Sequence, residues 1–206
     1  DMDNDEIHDT WIYGQAEFIL GSTENLHACG FIPYNTYWEG IDTVFVYCDI
    51  VIPDSVTLDI EEGVYVEFQA DAVRDTGPGI YCAGSILAEG TAADTITFTV
   101  NDPEFNDWAG IHLMSDSLFY SEFDRETGSS IFTYCLIEHV YEDEFDFFLL
   151  GRQSDYGSAI SLFDYPDVEI AYCEIRDCSG IFGGAISAMG ESYPYIHHNN
   201  IHDNIS

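Results

Sequence analysis

The sequence predicts an all-β fold of the β-solenoid kind, in which short strands stack coil upon coil, and three observations support this. The dipeptide Tyr-Cys occurs four times inside apolar, β-rich runs. Two blocks of sequence recur with apolar residues in the same places, one at 132–139, 170–177 and 196–203, and the other at 108–113, 157–162 and 183–188. Internal repetition at such steps is typical of proteins made of stacked, similar units.

The predicted elements follow in order along the chain. Residues 1–40 are aromatic and lie outside the repeat, so we expect them to form a cap over one end of the solenoid. From Thr43 onward apolar and polar residues alternate, which is typical of strands with one buried face. Turns at 53–55 and 61–63 divide this region into three short strands per coil. We expect the solenoid to span 41–206, with loop insertions near 101–107, 114–129 and 141–156.

Several of these segments resemble a known family. Segments 42–53, 56–68, 84–91, 96–99 and 108–111 are similar to the opening of bacterial secreted proteins of the pectin-lyase-like superfamily. The resemblance implies a right-handed parallel β-helix. It also implies that an asparagine near 195–201 occupies an inward corner of the coil and hydrogen-bonds the turn backbone. Because the superfamily contains lyases, hydrolases, adhesins and filament components, the resemblance does not assign a function.

The chain is strongly acidic, with 39 acidic residues, four basic ones and a formal net charge of −35. Nucleic acid and anionic membrane surfaces are therefore excluded as partners, because binding them requires cationic side chains. No apolar run approaches the length of about 18 residues that predicts a membrane span. An acidic surface suits an extracellular or cell-surface location and can hold divalent cations. The first residues, from Asp1, fit the end left by cleavage of an export signal.

The six cysteines do not have the dense spacing of a small disulfide scaffold. Four of them lie in apolar runs and are expected to fill the core as small hydrophobic side chains: Cys48, Cys82, Cys135 and Cys173. Cys29 and Cys178 lie outside these positions and are the better candidates for a disulfide.

Two groups of side chains are candidate sites for a divalent cation, with calcium as the expected cofactor. Carboxylates in one predicted loop supply the oxygen ligands that calcium prefers: Glu142, Asp143, Glu144 and Asp146. The repeat brings a second group together across three coils: His139, Asp177, His202 and Asp203. This second group also has a simpler interpretation as a ladder of solvated charges, in which Arg176 pairs with its neighbours Glu138 and His202.

Aromatic residues beside the acidic loops form a candidate surface for binding polysaccharide or protein, the alternative being packing against the solenoid: Phe119, Tyr120, Phe145, Phe147 and Tyr156. No catalytic residue is assigned. A lyase needs a base, and Arg176 is the only arginine on a repeat strand. A glycoside hydrolase needs two carboxyl groups at a defined separation, and with 39 acidic residues no pair stands out. These observations favour a protein without enzymatic activity, and an enzyme is kept as the alternative.

The sequence therefore predicts an extracellular structural or adhesive β-solenoid module that assembles end to end into filaments or a surface layer. The last repeat strand is followed at once by the final residues, so either the chain is part of a longer protein or its terminal coil contacts another subunit. The residues expected to make this contact are Ile196, Ile201 and Ile205. The expected partners are other copies of the chain, cell-surface components or polysaccharide. The alternative is a β-helix domain that binds or degrades polysaccharide.

Overall fold

A computed structural model describes residues 10–13, 25–70, 77–104, 106–115, 128–142, 146–147, 152–153, 159–180 and 183–206. Strands make up the regular structure of these ranges, which confirms the all-β prediction, and none of the ranges holds a helix long and apolar enough to cross a membrane. The strands are β1 (Thr10–Tyr13), β2 (Leu26–Phe31), β3 (Thr36–Trp38), β4 (Thr43–Ile52), β5 (Thr57–Ile60), β6 (Tyr65–Phe68), β7 (Ile80–Cys82), β8 (Ser85–Glu89), β9 (Ile96–Val100), β10 (Ile111–Met114), β11 (Ser129–Thr133), β12 (Cys135–Glu138), β13 (Tyr141–Glu142), β14 (Asp146–Phe147), β15 (Arg152–Gln153), β16 (Ile160–Phe163), β17 (Asp167–Ala171), β18 (Glu174–Arg176), β19 (Ser179–Gly180), β20 (Ile186–Met189), β21 (Tyr195–His197) and β22 (Asn200–His202).

Most strands pair in parallel and form three stacks, which the chain visits in a fixed order. Stack 1 runs β2-β4-β7-β10-β16-β20, stack 2 runs β3-β5-β8-β11-β17-β21, and stack 3 runs β1-β2-β4-β6-β9-β12-β18-β22. Strands β2 and β4 belong to two stacks because each continues across the corner between them. One strand from each stack makes one turn of the chain. This arrangement is consistent with a β-solenoid.

The strand register confirms both repeated blocks of the sequence. Equivalent residues lie side by side in three rows: Phe132–Ile170–Ile196, Ile137–Ile175–Ile201 and Ile111–Ile160–Ile186. The four Tyr-Cys dipeptides are not all equivalent, however. The last two, at 134–135 and 172–173, lie at the corner between stacks 2 and 3, whereas 47–48 lies within β4 and 81–82 within β7.

The core lies between the three stacks and is filled by the inward-facing residue of each alternation. The predicted alternation between 43 and 68 is confirmed, since its inward residues are at most 8% exposed: Val44, Val46, Ile50, Ile52, Val56, Leu58, Ile60, Val64, Val66 and Phe68. Full burial of such a side chain stabilises the fold by about 1.5–3 kcal/mol. Two aromatic rings are also buried in the core: those of Phe68 and Trp108, which stack with their ring centroids 3.9 Å apart.

The parallel pairing begins before residue 41. Strands β2 and β3 lie within the segment predicted as a cap, yet they pair in parallel with β4 and β5. A capping role for the residues that precede β2 stays a prediction, because 1–9 and 14–24 lie outside the described residues. Most of the two longer predicted loops, 114–129 and 141–156, lies outside them as well.

The expected roles of the cysteines were partly wrong. Cys29 forms a disulfide with Cys48, with Cα atoms 4.9 Å apart, whereas Cys178 is a free, buried thiol. Between β2 and β4 the register shifts, so that Cys29 alone lies opposite residues 47–49. The extra residues of β4 form a bulge that takes Cys48 out of the core and brings it against Cys29. The three other cysteines are buried thiols as predicted: Cys82, Cys135 and Cys173.

Candidate functional site: the open last turn

The last turn of the described chain is formed by β20, β21 and β22. Each of these strands pairs on one side, with β16, β17 and β18 respectively, and ends its stack. The opposite side, which we call the open edge, therefore presents the strand backbone of 186–189, 195–197 and 200–202 without a further strand among the described residues. A strand edge that has no neighbouring strand is a template for pairing with another strand.

Interior residues become exposed at the open edge. Ile170 and Ile175 are fully buried, but Ile196 and Ile201, the next residues in the same rows, are 41% and 45% exposed. Two of the three residues predicted for assembly therefore lie on the open edge. Ile205 is different, because it follows Ser179 in a row on the outer surface, where it is 69% exposed.

Two asparagines at the corners of the last turn bind the turn before it. Asn199 Oδ1 accepts a hydrogen bond from the N–H of Cys173 at 2.8 Å, and Asn199 Nδ2 donates to the C=O of Ile170 at 2.8 Å. Asn199 follows His198, whose φ of 56° lies in the left-handed region. The asparagine is thus an inward corner residue, as the family resemblance implied.

The second asparagine repeats this arrangement at the next corner. Asn204 Oδ1 accepts from the N–H of Cys178 at 2.9 Å, and Asn204 Nδ2 donates to the C=O of Ile175 at 2.9 Å. The preceding residue, Asp203, is again left-handed, with a φ of 54°. Both corners of the last turn therefore use one amide group to satisfy one backbone donor and one backbone acceptor of the neighbouring turn.

A row of charged side chains runs across the outer surface beside these corners. Glu138, Arg176 and His202 occupy equivalent positions in three successive turns. The Arg176 guanidinium contacts the Glu138 carboxylate directly and lies 3.0 Å from Asp177 Oδ2. This confirms the cross-turn ion pair between Arg176 and Glu138.

Two of the predicted metal ligands meet at this row. His139 and Asp177 lie beside Glu138, and one ligand atom from each of the three lies within 4.8 Å of the others. Arg176 is already paired with both carboxylates, so a divalent cation would have to compete with its guanidinium. The arrangement therefore fits a charge ladder better than a metal centre.

The other two members of that predicted group bond elsewhere. His202 Nδ1 and Asp203 Oδ2 are 2.8 Å apart, and His202 Nε2 lies 3.1 Å from Glu174 Oε1. Hydrogen bonds that the His202 ring donates to the carboxylates of Asp203 and Glu174 raise the pKa of His202 above its ordinary value. His202 and Asp203 thus lie in the charge ladder two turns away from His139.

The remaining predicted site residues cannot be placed, because their side chains lie outside the described residues: Glu142, Asp143, Glu144, Asp146, Phe119, Tyr120, Phe145, Phe147 and Tyr156. A different aromatic feature is present at the corner between stacks 2 and 3. The rings of Tyr134, Tyr172 and His198 stack in sequence, with successive centroids 4.9 Å apart. The repeated Tyr-Cys dipeptide was the sequence signal that could have located this stack.

A buried histidine on the outer side of stack 1 was missed by the sequence analysis. His112 is 3% exposed, and its ring stacks on Tyr81 with centroids 4.8 Å apart. Its Nε2 lies 2.8 Å from the C=O of Ala109 and its Nδ1 lies 2.7 Å from Ser161 Oγ. Because a carbonyl only accepts, Nε2 carries the proton and Nδ1 accepts from the serine hydroxyl. Burial lowers the pKa of His112 to about 4, so the ring is neutral near pH 7.

Comparison with known proteins identifies no relative: no protein-family model matches the chain, and neither a curated protein nor a solved structure matches it significantly. The function has to be inferred from the geometry of the molecule.

Proposed function

We propose that this chain is a right-handed parallel β-helix that serves as an extracellular structural or adhesive module and assembles end to end into filaments or a surface layer. The observation that carries this proposal is the exposure of Ile196 and Ile201, by 41% and 45%, in rows that are buried in every preceding turn from β4 onward. A further turn of parallel strands would bury both side chains and pair the backbone of the open edge. Head-to-tail contacts of this kind generate an open filament unless rotation closes the assembly.

Two further features bear on this proposal, the first on the extracellular location and the second on assembly. The Cys29–Cys48 disulfide fits an oxidising compartment, because disulfides are rare in the cytosol. The net charge of −35 keeps separate copies apart at low salt, so assembly would depend on screening. Calcium is the proposed cofactor, since carboxylates are its preferred ligands and bound calcium would reduce the repulsion between copies.

The alternative, a domain that binds or degrades polysaccharide, has less support among the described residues. Tyr134 and Tyr172 cover each other's ring faces, so no sugar ring can stack between them. Arg176, the arginine that a lyase mechanism would need as a base, is held by Glu138 and Asp177. A structural role for the charge row therefore accounts for more of the observed contacts.

Sedimentation velocity and negative-stain electron microscopy test the proposal. At fixed ionic strength, the chain is expected to form larger, end-to-end particles as its concentration rises. The double variant Ile196→Asp/Ile201→Asp places two charges on the open edge and is expected to remain monomeric. Tyr193→Asp is the matched control, because Tyr193 is 74% exposed in the same turn but outside the interior rows.

Circular dichroism and thermal unfolding establish that all three proteins have the same fold. The proposal fails if the unmodified chain stays monomeric at every concentration. It fails equally if the double variant assembles as the control does.

A further inference from the structure

We propose that His197 and His198 form a binding site for one divalent transition-metal ion, and that copper(II) binds there more tightly than zinc. The basis is the position of two imidazole rings whose Nδ1 atoms lie 2.7 Å apart on the outer surface, at the corner between stacks 2 and 3. The inference goes beyond the proposed function, because it requires neither assembly nor a partner at the open edge.

The backbone at this corner turns two neighbouring side chains toward each other. Successive side chains of an extended strand point to opposite faces, so adjacent histidines in a strand would diverge. His197 is the last residue of β21, however, and His198 has a φ of 56°, in the left-handed region. The two rings therefore meet, with centroids 5.0 Å apart and with the Nδ1 atom of each facing the other.

The same bend carries different side chains in the two preceding turns. Residues 133–134 and 171–172 occupy the positions equivalent to 197–198, and they read Thr-Tyr and Ala-Tyr. Tyr134 and Tyr172 are left-handed like His198. The repeat thus supplies the geometry of the corner, and the substitution of two histidines supplies the ligands.

The ring of His197 is oriented by a carboxylate of the turn before it. His197 Nε2 lies 3.2 Å from Glu169 Oε1, and an ionised carboxylate only accepts, so Nε2 carries the proton of the neutral ring. The Nδ1 atom then presents a lone pair toward His198. Histidines that bind metals commonly donate their second N–H to a carboxylate, which fixes the tautomer and makes the ring a better ligand.

The ring of His198 is oriented by stacking. It lies on Tyr172 with ring centroids 4.9 Å apart and an interplanar angle of 16°, and Tyr172 stacks on Tyr134 in turn. The edge of the Tyr172 ring also meets His197, at 5.8 Å between centroids. Both imidazole planes are therefore fixed before an ion arrives. His198 is exposed, so an ion can enter and water can complete its coordination.

The separation of the two nitrogens indicates which ion fits. Two metal–nitrogen bonds of about 2.0 Å that meet at a right angle place the nitrogens about 2.8 Å apart, whereas a tetrahedral angle places them about 3.3 Å apart. The observed 2.7 Å is near the first value, which belongs to the square-planar geometry of copper(II). Zinc would require the two nitrogens to separate by about 0.6 Å. Either ion replaces the proton that His198 Nδ1 donates to His197 Nδ1.

The charge around the pair favours a cation. The net charge of −35 raises the concentration of cations near the surface, and Glu169 places a carboxylate against the pair itself. Arg176, which would compete with an ion at Glu138, is bound to that residue on stack 3 rather than to the histidine pair on stack 2. Calcium is not the expected ion here, because it prefers oxygen ligands.

Isothermal titration of the 206-residue chain with copper(II) chloride tests the proposal. Glycine in the buffer competes for copper and suppresses weak binding by the 39 acidic residues. The variants are His197→Ala and His198→Ala. The matched control is His202→Ala, which removes another histidine of the same turn that also bonds to carboxylates. Circular dichroism checks that all four proteins share one fold.

The unmodified chain and the control are expected to bind one copper ion with the same Kd. Each of the two variants is expected to bind copper at least about tenfold more weakly. Zinc chloride is expected to give a larger Kd than copper in the unmodified chain, and excess calcium chloride is expected to leave the bound copper in place.

Pulsed electron paramagnetic resonance provides a second measurement, because it counts the imidazoles bound to copper(II). Two are expected in the unmodified chain and in the control, and one in each variant. A single imidazole in the unmodified chain, or an unchanged Kd in both variants, overturns the proposal. Displacement of the copper by excess calcium overturns it as well, since the ion would then be held by carboxylates.

Discussion

Single residues with left-handed backbone determine where the last three turns bend. They recur at two equivalent corners, with φ between 48° and 59°: Tyr134, Tyr172 and His198 at one, and His139, Asp177 and Asp203 at the other. A non-glycine residue in this conformation costs about 1–2 kcal/mol relative to a right-handed one. The cost is offset because the next residue turns inward and hydrogen-bonds the neighbouring turn, as Asn199 and Asn204 do.

His112 provides a prediction at the same scale. Its folded-state pKa, about 4, is below the ordinary value of 6.5 because the ring is buried. The unfolded chain therefore binds a proton that the folded chain does not, and stability is expected to fall as the pH drops from 6.5 towards 4, by about 3 kcal/mol. Above pH 6.5 this contribution is fully present.

Thermal or urea unfolding as a function of pH measures this effect. His112→Gln keeps a polar side chain beside Ser161 but removes the titration, so its stability is expected to fall less between pH 6.5 and 4. The carboxylates titrate in both proteins, so their effect on stability cancels when one pH curve is subtracted from the other. Parallel pH curves for the two proteins would show that the prediction is wrong.

At the scale of elements, β4 joins two stacks and fixes how the early turns meet. Its first half pairs with β6 and its second half with β7, and the residues between the halves bulge out opposite Cys29. The Cys29–Cys48 disulfide links this bulge covalently to β2. The cross-link therefore stabilises the turn at which the two stacks separate.

Replacing both cysteines, Cys29→Ser and Cys48→Ser, is expected to lower the free energy of unfolding by about 3 kcal/mol, because the bridge closes a loop with a sequence separation of 19 residues. Urea unfolding measures the loss. Alkylation followed by mass spectrometry checks the pairing, with four thiols modified in denaturant alone and six after reduction. Six modified thiols without reductant would rule out the bridge.

At the scale of the whole molecule, an apolar open edge lies on a chain of net charge −35. Burial of the open edge favours association, whereas the charge opposes both association and the compact state. The balance depends on ionic strength, since the screening length falls from about 30 Å at 0.01 M salt to about 3 Å at 1 M.

Raising sodium chloride across that range is expected to increase the Tm, because self-repulsion is relieved. Scanning calorimetry at low protein concentration separates this effect from assembly. Calcium chloride at matched ionic strength is the comparison, and a larger increase with calcium would indicate dedicated calcium sites. A Tm that is constant or falls with sodium chloride would contradict the prediction.

The local regularities of the fold were predictable from the sequence. Alternation with a period of two placed Val44, Val66 and Phe68 in the core, because successive side chains of a strand point to opposite faces. The repeated blocks placed Arg176 beside Glu138, because equal positions in stacked turns become neighbours. Both inferences need only the spacing of residues along the chain.

The sequence by itself thus determined that the chain is all-β, that its repeats stack in register, and that Ile196 and Ile201 continue buried rows. Only the tertiary structure decided that Cys29 bonds to Cys48 and that His112 is buried, although alternation along its strand places its side chain outward. The first feature depends on a register shift between β2 and β4, and the second depends on packing across stack 1. Contacts between residues distant in sequence create them, and no periodicity along the chain encodes such contacts.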